Sequence, residues 1–132
     1  MTSHLKLRHS ISSGSPWEDK MGYCRAVRIG NIIEVSGTVA IVDGDKVKAD
    51  DAYAQTYNII ERIRTVLEDL GVGLKDVIRT RIFTTDISKF DDIAKAHGHF
   101  FSQIKPVTGI YEINALVASQ YLVEIEFSAV IE

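Results

Sequence analysis

The sequence predicts a single α+β domain in which about six strands form one sheet with two helices on one face. Two segments, 52–70 and 88–103, carry apolar residues at the three- and four-residue steps of amphipathic helices. The other apolar segments are short, rich in β-branched residues and bounded by turn residues, which is typical of strands. A chain of 132 residues is enough for one domain and too short for two ordinary ones.

The composition limits the kinds of partner and the cellular compartment that we expect for this chain. A formal net charge of −3 at pH 7 argues against nucleic acid as the main partner, because phosphate binding needs concentrated Lys and Arg. The single cysteine excludes an internal disulfide and fits a reducing compartment. No run of about 18 apolar residues is present, so we expect no transmembrane helix. The first ten residues contain no apolar core of signal-peptide length, so we expect a cytoplasmic protein.

The N-terminal part is predicted to contain an edge strand, a loop and a hairpin. Weak alternation of apolar and polar residues predicts the edge strand over 4–12, and Gly and Pro mark 12–20 as a loop. Strands over 23–29 and 32–36 follow. Gly30-Asn31 joins them, because both residues tolerate the positive φ of a two-residue hairpin turn.

Five side chains of this region are candidates for chemistry. Tyr23 and Arg25 share one strand face, where a phenol beside a guanidinium makes an anion-binding surface. Ser36 adds a hydroxyl at the end of the second strand. Cys24 points to the opposite face, and we interpret it as a small buried hydrophobic residue rather than a nucleophile. Trp17 either holds the loop against the domain or forms a wall of a ligand pocket.

The two predicted helices contribute few functional candidates. In the helix over 52–70, Arg62 and Arg64 are predicted to lie on the side opposite the apolar residues and are interpreted as solvated residues. In the helix over 88–103, His97 lies on the apolar face, where a hydrogen-bonded core histidine is the favoured interpretation over a catalytic one. The histidine spacing in this helix does not suit a helical metal pair, so we predict no metal site.

Charged residues on the later strands are expected to pair. The strand over 76–86 places Arg79 and Arg81 on one face, and an unpaired buried charge is costly. These arginines either pair with carboxylates, face a wet interface or bind a ligand. The last strand supplies candidate partners, because Glu124 and Glu126 share one of its faces.

Strands over 107–116 and 120–131 complete the predicted sheet. The face of the sheet away from the helices carries too many apolar residues to remain solvated, so we expect a partner to cover it. The sequence contains no GxSxG, Gly-rich phosphate loop, HExxH or CxxC motif, and we predict no cofactor.

Six features in a fixed order characterise the chain: the hairpin GYCRAVRIGNIIEVSGTVA, the helix DAYAQTYNIIERIRTVLEDLG, the strand DVIRTRIFTTDI, the segment FDDIAKAHGHFF, the junction at Pro106 and the end LVEIEFSAV. As an ordered set they resemble the YjgF/Rid family, small proteins that include the imine deaminases of amino-acid metabolism. The resemblance covers nearly the whole chain and implies a single domain over 1–132 with a chorismate-mutase-like fold. It also implies a homotrimer around a central barrel of sheets, with ligand clefts between subunits.

The resemblance implies a set of site residues as well. In the deaminases of the family, a tyrosine and a serine from the first hairpin line the cleft, and a glutamate in the last strand orients the attacking water. These positions fall on Tyr23, Ser36 and Glu124. An arginine after the proline of the penultimate strand binds the substrate carboxylate, and a cysteine often follows. Thr108 and Ile110 occupy these two positions.

Thr108 changes the activity that the resemblance would otherwise imply. A guanidinium holds a carboxylate through two parallel charged hydrogen bonds, whereas Thr108 has one neutral hydroxyl. We therefore expect no efficient deamination of 2-imino acids, which places the chain in a branch of the family without the carboxylate-binding arginine. Arg25 either replaces the lost charge or forms an interface salt bridge.

Three function classes remain. The first is a hydrolase or deaminase that acts on an imine, enamine or related metabolite, with Glu124 positioning water. The second is a non-catalytic metabolite-binding trimer. The third is the endoribonuclease or translation-inhibitor activity attributed to some relatives, and it is disfavoured because the sequence shows no acid/base pair with a basic groove.

Overall fold

Strands and helices alternate along the computed structural model, which describes residues 8–132. The strands are β1 (Arg8–Ile11), β2 (Ala26–Ile29), β3 (Ile32–Val39), β4 (Val77–Thr84), β5 (Val107–Glu112) and β6 (Val123–Val130), and the helices are α1 (Pro16–Met21), α2 (Ala52–Asp69) and α3 (Phe90–Phe101). Apart from α1, this order is the predicted one. The part of the predicted edge strand over 4–7 lies outside the described residues.

The strands form one sheet in the order β1-β2-β3-β6-β4-β5. Neighbouring strands are antiparallel except for β4 and β5, which are parallel and are connected through α3. Helices α2 and α3 pack together on one face, and the apolar core lies between them and the sheet. Its largest fully buried side chains include Ile33, Ile59, Ile63, Ile125 and Phe127. The predicted α+β class is confirmed.

Two bulges interrupt strict alternation in the central strands. In β3, the register against β6 shifts between Val35 and Thr38, so the strand continues through Gly37 instead of ending there. In β4, the register shifts between Val77 and Arg79, and Val77 is buried while Ile78 is exposed. A bulge adds one residue to one strand and reverses the inward and outward positions beyond it.

The segment predicted as a loop over 12–20 contains helix α1, so that prediction is wrong in part. The side chain of Ser15 caps the helix by accepting a hydrogen bond from the Trp17 amide, and Pro16 occupies the first turn. Gly22 ends the helix with φ 78°. Ser-Pro is the start signal of a helix as well as a turn signal, because proline has the helical φ and needs no amide partner there.

The sheet face opposite the helices is uncovered within one chain. Ile32, Ile78, Val107 and Tyr111 are each at least half exposed. Arg81 and Glu126 form an ion pair across this face at 3.9 Å, which confirms the predicted pairing for these two residues. The predicted partner for this face stays a prediction.

His97 connects α3 to the sheet, as the interpretation of a core histidine requires. Its Nε2 lies 3.0 Å from Oγ1 of the buried Thr80, and its ring lies 4.7 Å from that of Phe101, measured between centroids. Burial lowers the pKa of His97 below its ordinary value. Protonation of His97 is therefore easier in the unfolded chain than in the folded one.

This histidine should make stability depend on pH. Because its pKa is lowered in the folded state, its full contribution is present above about pH 6.5 and is lost as the pH falls below that value. The free energy of unfolding, measured with urea at about pH 7.5 and about pH 5.5, should decrease less in His97→Gln than in the wild type. His99→Gln, on an exposed residue of the same helix, should behave as the wild type. Equal decreases in all three proteins would contradict this role.

Candidate functional site

A cleft opens where α1, the end of β3, α2 and the start of β6 meet. Its volume is about 670 Å³. The polar and aromatic side chains that line it are Ser13, Ser15, Trp17, Tyr23, Arg25, Ser36, Arg62, Tyr121, Glu124 and Glu126, and the apolar ones include Met21, Val39, Ile41 and Val117. The cleft thus combines apolar surface with charges of both signs, as small-molecule sites commonly do.

Five of the seven site residues predicted from the sequence line this one cleft. They are Trp17, Tyr23, Arg25, Ser36 and Glu124. Trp17 is about half exposed, so it forms a wall of the cleft and does not pin the loop by burial. The Ser36 hydroxyl donates a hydrogen bond of 2.7 Å to the Cys24 carbonyl, which ties the two hairpin strands together. Cys24 itself is half-buried, so its predicted full burial is wrong.

Glu124 lies where the bulge of β3 leaves room for its carboxylate. A Cβ atom on Gly37 would overlap Oε2 of Glu124, so the side chain occupies the space that the glycine leaves empty. Burial raises the pKa of Glu124 above its ordinary value, the charge of Glu126 raises it further, and the charge of Arg25 partly offsets both. Within residues 8–132, no cation lies within 4.0 Å of this carboxylate. Such a group can accept and return a proton nearer neutral pH than an ordinary glutamate.

Arg25 is buried beneath Tyr23, with 8% of its surface exposed. Its Nη2 donates a hydrogen bond of 2.5 Å to the Gly37 carbonyl, and its guanidinium lies 5.9 Å from the centroid of the Tyr23 ring. Both residues precede β2, so the predicted strand over 23–29 begins later than expected and they do not share a strand face, but their side chains do lie together. Nε of Arg25 is buried and has no hydrogen-bond partner in the described part of the chain.

Sequence analysis did not assign Arg62 to the cleft, nor Ser13, Ser15 and Tyr121. Arg62 was interpreted as solvated, but it is half-buried and its Nη1 donates a hydrogen bond to the Val39 carbonyl. Burial lowers the pKa of Arg62, and the positive charge of Arg25 lowers it further. One turn earlier, Asn58 accepts a hydrogen bond of 2.8 Å from the Ile41 amide. Asn58 and Arg62 are four residues apart and therefore lie on the same side of α2. This spacing is the signal in the sequence that could have indicated a shared role for the two residues.

Two carboxylates fix the loops at the mouth of the cleft. Glu18 accepts hydrogen bonds from the Ser12 hydroxyl and the Ser13 amide and hydroxyl, and the bond from the Ser13 side chain chiefly lowers its pKa. Asp43 accepts hydrogen bonds from the amides of residues 45–47, which lower its pKa. Both loops are therefore ordered by local charge-assisted hydrogen bonds.

Thr108 and Ile110 do not line the cleft of their own chain. Both lie on the edge strand β5, two strands away from β6. Oγ1 of Thr108 is 2.8 Å from Oγ1 of Thr80, which in turn contacts His97, and Ile110 packs against the core. Their side chains therefore face the helical side of the sheet.

A second groove, of about 690 Å³, lies between β1 and the end of α2. Arg28 spans its floor, where Nη1 donates a hydrogen bond of 2.7 Å to the Leu70 carbonyl and Nε donates one of 2.9 Å to the Gly30 carbonyl. The guanidinium thus satisfies a carbonyl at the end of α2. None of the predicted site residues lies in this groove, so we assign Arg28 a structural role.

Comparison with known proteins identifies the family. The model of the endoribonuclease L-PSP family matches residues 17–131. The chain belongs to this family, the YjgF/Rid family. A solved structure from Mycobacterium tuberculosis, described as a member of the YjgF/YER057c/UK114 family, has a TM-score of 0.86 and 43% sequence identity, covering 94% of this chain and 99% of that one.

Two curated relatives differ in whether their names assign an activity. An uncharacterized protein of Streptomyces coelicolor is 34% identical over 130 residues, covering 98% of this chain and 95% of its own length. The 3-aminoacrylate deaminase RutC of Acinetobacter baylyi is 32% identical over 104 residues, covering 78% of this chain and 82% of its own length. Family membership therefore spans proteins with and without an assigned activity.

Residues 8–132 contain neither a cluster of metal-ligating side chains nor a helix suited to span a membrane. No group of three or more His, Cys, Asp and Glu side chains in this part of the chain could hold a metal ion. None of the described helices is both long enough and apolar enough to cross a membrane.

The glycine in the bulge should control the protonation of Glu124. In Gly37→Ala the new methyl group would push the carboxylate toward solvent, so the pKa of Glu124 should fall toward its ordinary value. Carbon-detected NMR titration of the Glu124 carboxyl would measure this shift. Gly98→Ala is a suitable control, because its Cβ would meet no atom within 4 Å. That control should leave the pKa of Glu124 unchanged and stabilise α3 by about 0.5–1 kcal/mol. An unchanged pKa in Gly37→Ala would contradict the packing described here.

Proposed function

We propose that the cleft binds a small organic molecule and hydrolyses an imine or enamine, with Glu124 positioning the attacking water. The observation that supports this most is the convergence of Tyr23, Ser36 and Glu124 on one cleft, with the Glu124 carboxylate half-buried and free of ion pairs in the described chain. The name of the RutC relative, a 3-aminoacrylate deaminase, supports an enamine acid as the substrate class.

The chemistry needs only water and a group that moves protons. The Glu124 carboxylate accepts a proton from water as the water oxygen bonds to the imine carbon. The carboxylate returns this proton to the nitrogen, which gives a carbinolamine. The hydroxyl proton then moves to the amino group by the same route, the carbon–nitrogen bond breaks, and ammonia leaves a carbonyl product. An enamine first takes a proton on carbon and loses one from nitrogen, which gives the imine. Holding water and substrate together in a partly dry cleft would supply much of the rate.

We propose further that 2-imino acids are poor substrates. Thr108 stands where the deaminases of the family have the arginine that binds the substrate carboxylate. A hydrogen bond to a charged group contributes about 1.5–3 kcal/mol, against about 1 kcal/mol for a neutral one. A threonine hydroxyl would therefore hold a 2-imino acid weakly and leave its reacting carbon poorly oriented toward water.

The cleft is proposed to lie between the chains of a homotrimer. Thr108 is exposed on an edge strand and does not line its own cleft, so it reaches a cleft only if a second copy presents it. The uncovered apolar residues on the open sheet face supply a surface on which the chains of a trimer can pack. Small size and family membership are consistent with a cytoplasmic trimer that binds a metabolite.

A non-catalytic metabolite-binding trimer is the second candidate. One observation favours it: the Ser36 hydroxyl already donates its proton to the Cys24 carbonyl, so it has no proton left for a substrate. Endoribonuclease activity, which the family description names, is less well supported, because the net charge of −3 does not provide the basic surface that RNA binding needs.

Replacement of Glu124 should separate catalysis from binding. With 3-aminoacrylate generated in the assay, ammonia release by Glu124→Gln should fall by a factor of about 100 or more, the usual contribution of a positioned base. Glu126→Gln should remain active, and the acid limb of its rate–pH profile should move to lower pH, because Glu126 raises the pKa of Glu124. Wild-type rates in Glu124→Gln would refute the assigned role. Binding without turnover by the wild type would favour the non-catalytic candidate.

An arginine introduced at position 108 should restore carboxylate binding and thereby test whether the cleft is shared between chains. In an assay that traps imino acids with semicarbazide, Thr108→Arg should hydrolyse 2-imino acids about tenfold faster than the wild type or more. Thr108→Leu, which removes the hydroxyl without adding charge, should show no gain. Light scattering should give the mass of three chains for all of these proteins. A monomeric mass, or no gain with arginine, would contradict the proposal.

A further inference from the structure

Two arginines meet in the cleft from different elements. Arg25 precedes β2, and Arg62 lies on α2, and both line the same space. Each guanidinium is held by one backbone carbonyl at the end of β3, Gly37 for Arg25 and Val39 for Arg62. The positive charge of Arg25 lowers the pKa of Arg62, so the two cations lie close enough to repel each other.

Neither cation forms a close ion pair in the described residues, although the charge of Arg25 reaches Glu18 and Glu124 and lowers the pKa of both carboxyls. Among residues 8–132, the ion pairs within 4.0 Å join Arg64 to Glu61 and Arg81 to Glu126. The buried Nε of Arg25 has no hydrogen-bond acceptor there. Buried like charges that no carboxylate contacts directly are costly, and a bound anion would relieve both the repulsion and the missing hydrogen bond.

We infer that Arg62, with the buried Arg25 beside it, binds the carboxylate of an anionic ligand at the α2 side of the cleft. This inference rests on the proposed function, because it assigns the ligand class of the same site. It gives the chain a carboxylate-binding group of its own, on a different element from β5. Planar guanidinium groups suit carboxylates because their N–H groups match the two oxygens.

The charges in the cleft also orient such a ligand. Glu124 and Glu126 line the β6 side and repel a carboxylate, whereas the two arginines attract it. Val39, Ile41 and Val117 supply apolar surface for a short carbon chain. The ligand class is therefore a short carboxylate whose reacting group lies toward Glu124, away from Arg62.

The matched pair Arg62→Met and Arg64→Met tests this inference. Both residues lie on α2, but Arg64 is exposed and pairs with Glu61. The probes are crotonate and crotonamide, which share their shape and differ in charge. Trp17 is the only tryptophan of the chain and lines the cleft, so its fluorescence reports binding. Because binding is measured without turnover, this test is independent of whether the protein hydrolyses an enamine.

The wild type should bind crotonate more tightly than crotonamide. Arg62→Met should weaken crotonate binding about tenfold or more, as expected for loss of a charged hydrogen bond, with little effect on crotonamide. Arg64→Met should bind both as the wild type does. Arg62→Lys keeps the charge and should bind crotonate with intermediate affinity, which covers the case in which Arg62→Met does not fold.

Three results would overturn the inference. They are wild-type affinity for crotonate in Arg62→Met, equal losses in Arg62→Met and Arg64→Met, and equal losses for crotonate and crotonamide. The last result would mean that Arg62 only holds the backbone at Val39. Selective crotonate binding by a protein with no enamine hydrolysis would support the carboxylate site and contradict the proposed reaction.

Discussion

The cleft depends on one polar edge of helix α2. Gln55 is fully buried, its amide nitrogen lies within hydrogen-bond distance of the carbonyls of Lys48, Ala49 and Gln120, and its oxygen accepts from the Leu122 amide. Asn58 and Arg62 lie further along the same edge of α2. Asn58 accepts a hydrogen bond from the Ile41 amide, and Arg62 donates one to the Val39 carbonyl. Three side chains on one helix thus hold backbone segments that are far apart in sequence. Buried polar groups are costly unless bonded, so this network fixes a single arrangement.

The elements that sequence analysis predicted correctly are those with a local cause. Turn chemistry and periodicity predict the hairpin at Gly30-Asn31, both long helices and the sequence in which strands and long helices follow one another along the chain. Helix α1 was missed because Ser15 and Pro16 give the same signal for a turn and for a helix start. The bulge at Gly37 was missed because it is set by the register against β6, which no local pattern records.

The site was predictable only in part, for related reasons. Tyr23, Ser36 and Glu124 followed from the family resemblance, and the structure places them in one cleft. Arg62 was not predictable in this way, because a charged residue at the border of an amphipathic stripe usually faces solvent. Its partner is a carbonyl whose position depends on how β3 ends. The role proposed for Thr108 requires a second chain, because Thr108 does not line the cleft of its own chain.

The loops held by Glu18 and Asp43 have a consequence for binding kinetics. Their carboxylates order the cleft mouth before any ligand arrives, and the edge of α2 orders its floor. Little conformational entropy then remains to be lost on binding, so affinity is not reduced by a folding step. We therefore expect the cleft to fill in one bimolecular step, with an association rate set by encounter and charge attraction. Ligands would then differ in affinity mainly through their dissociation rates, which depend on the contacts that each ligand makes inside the cleft.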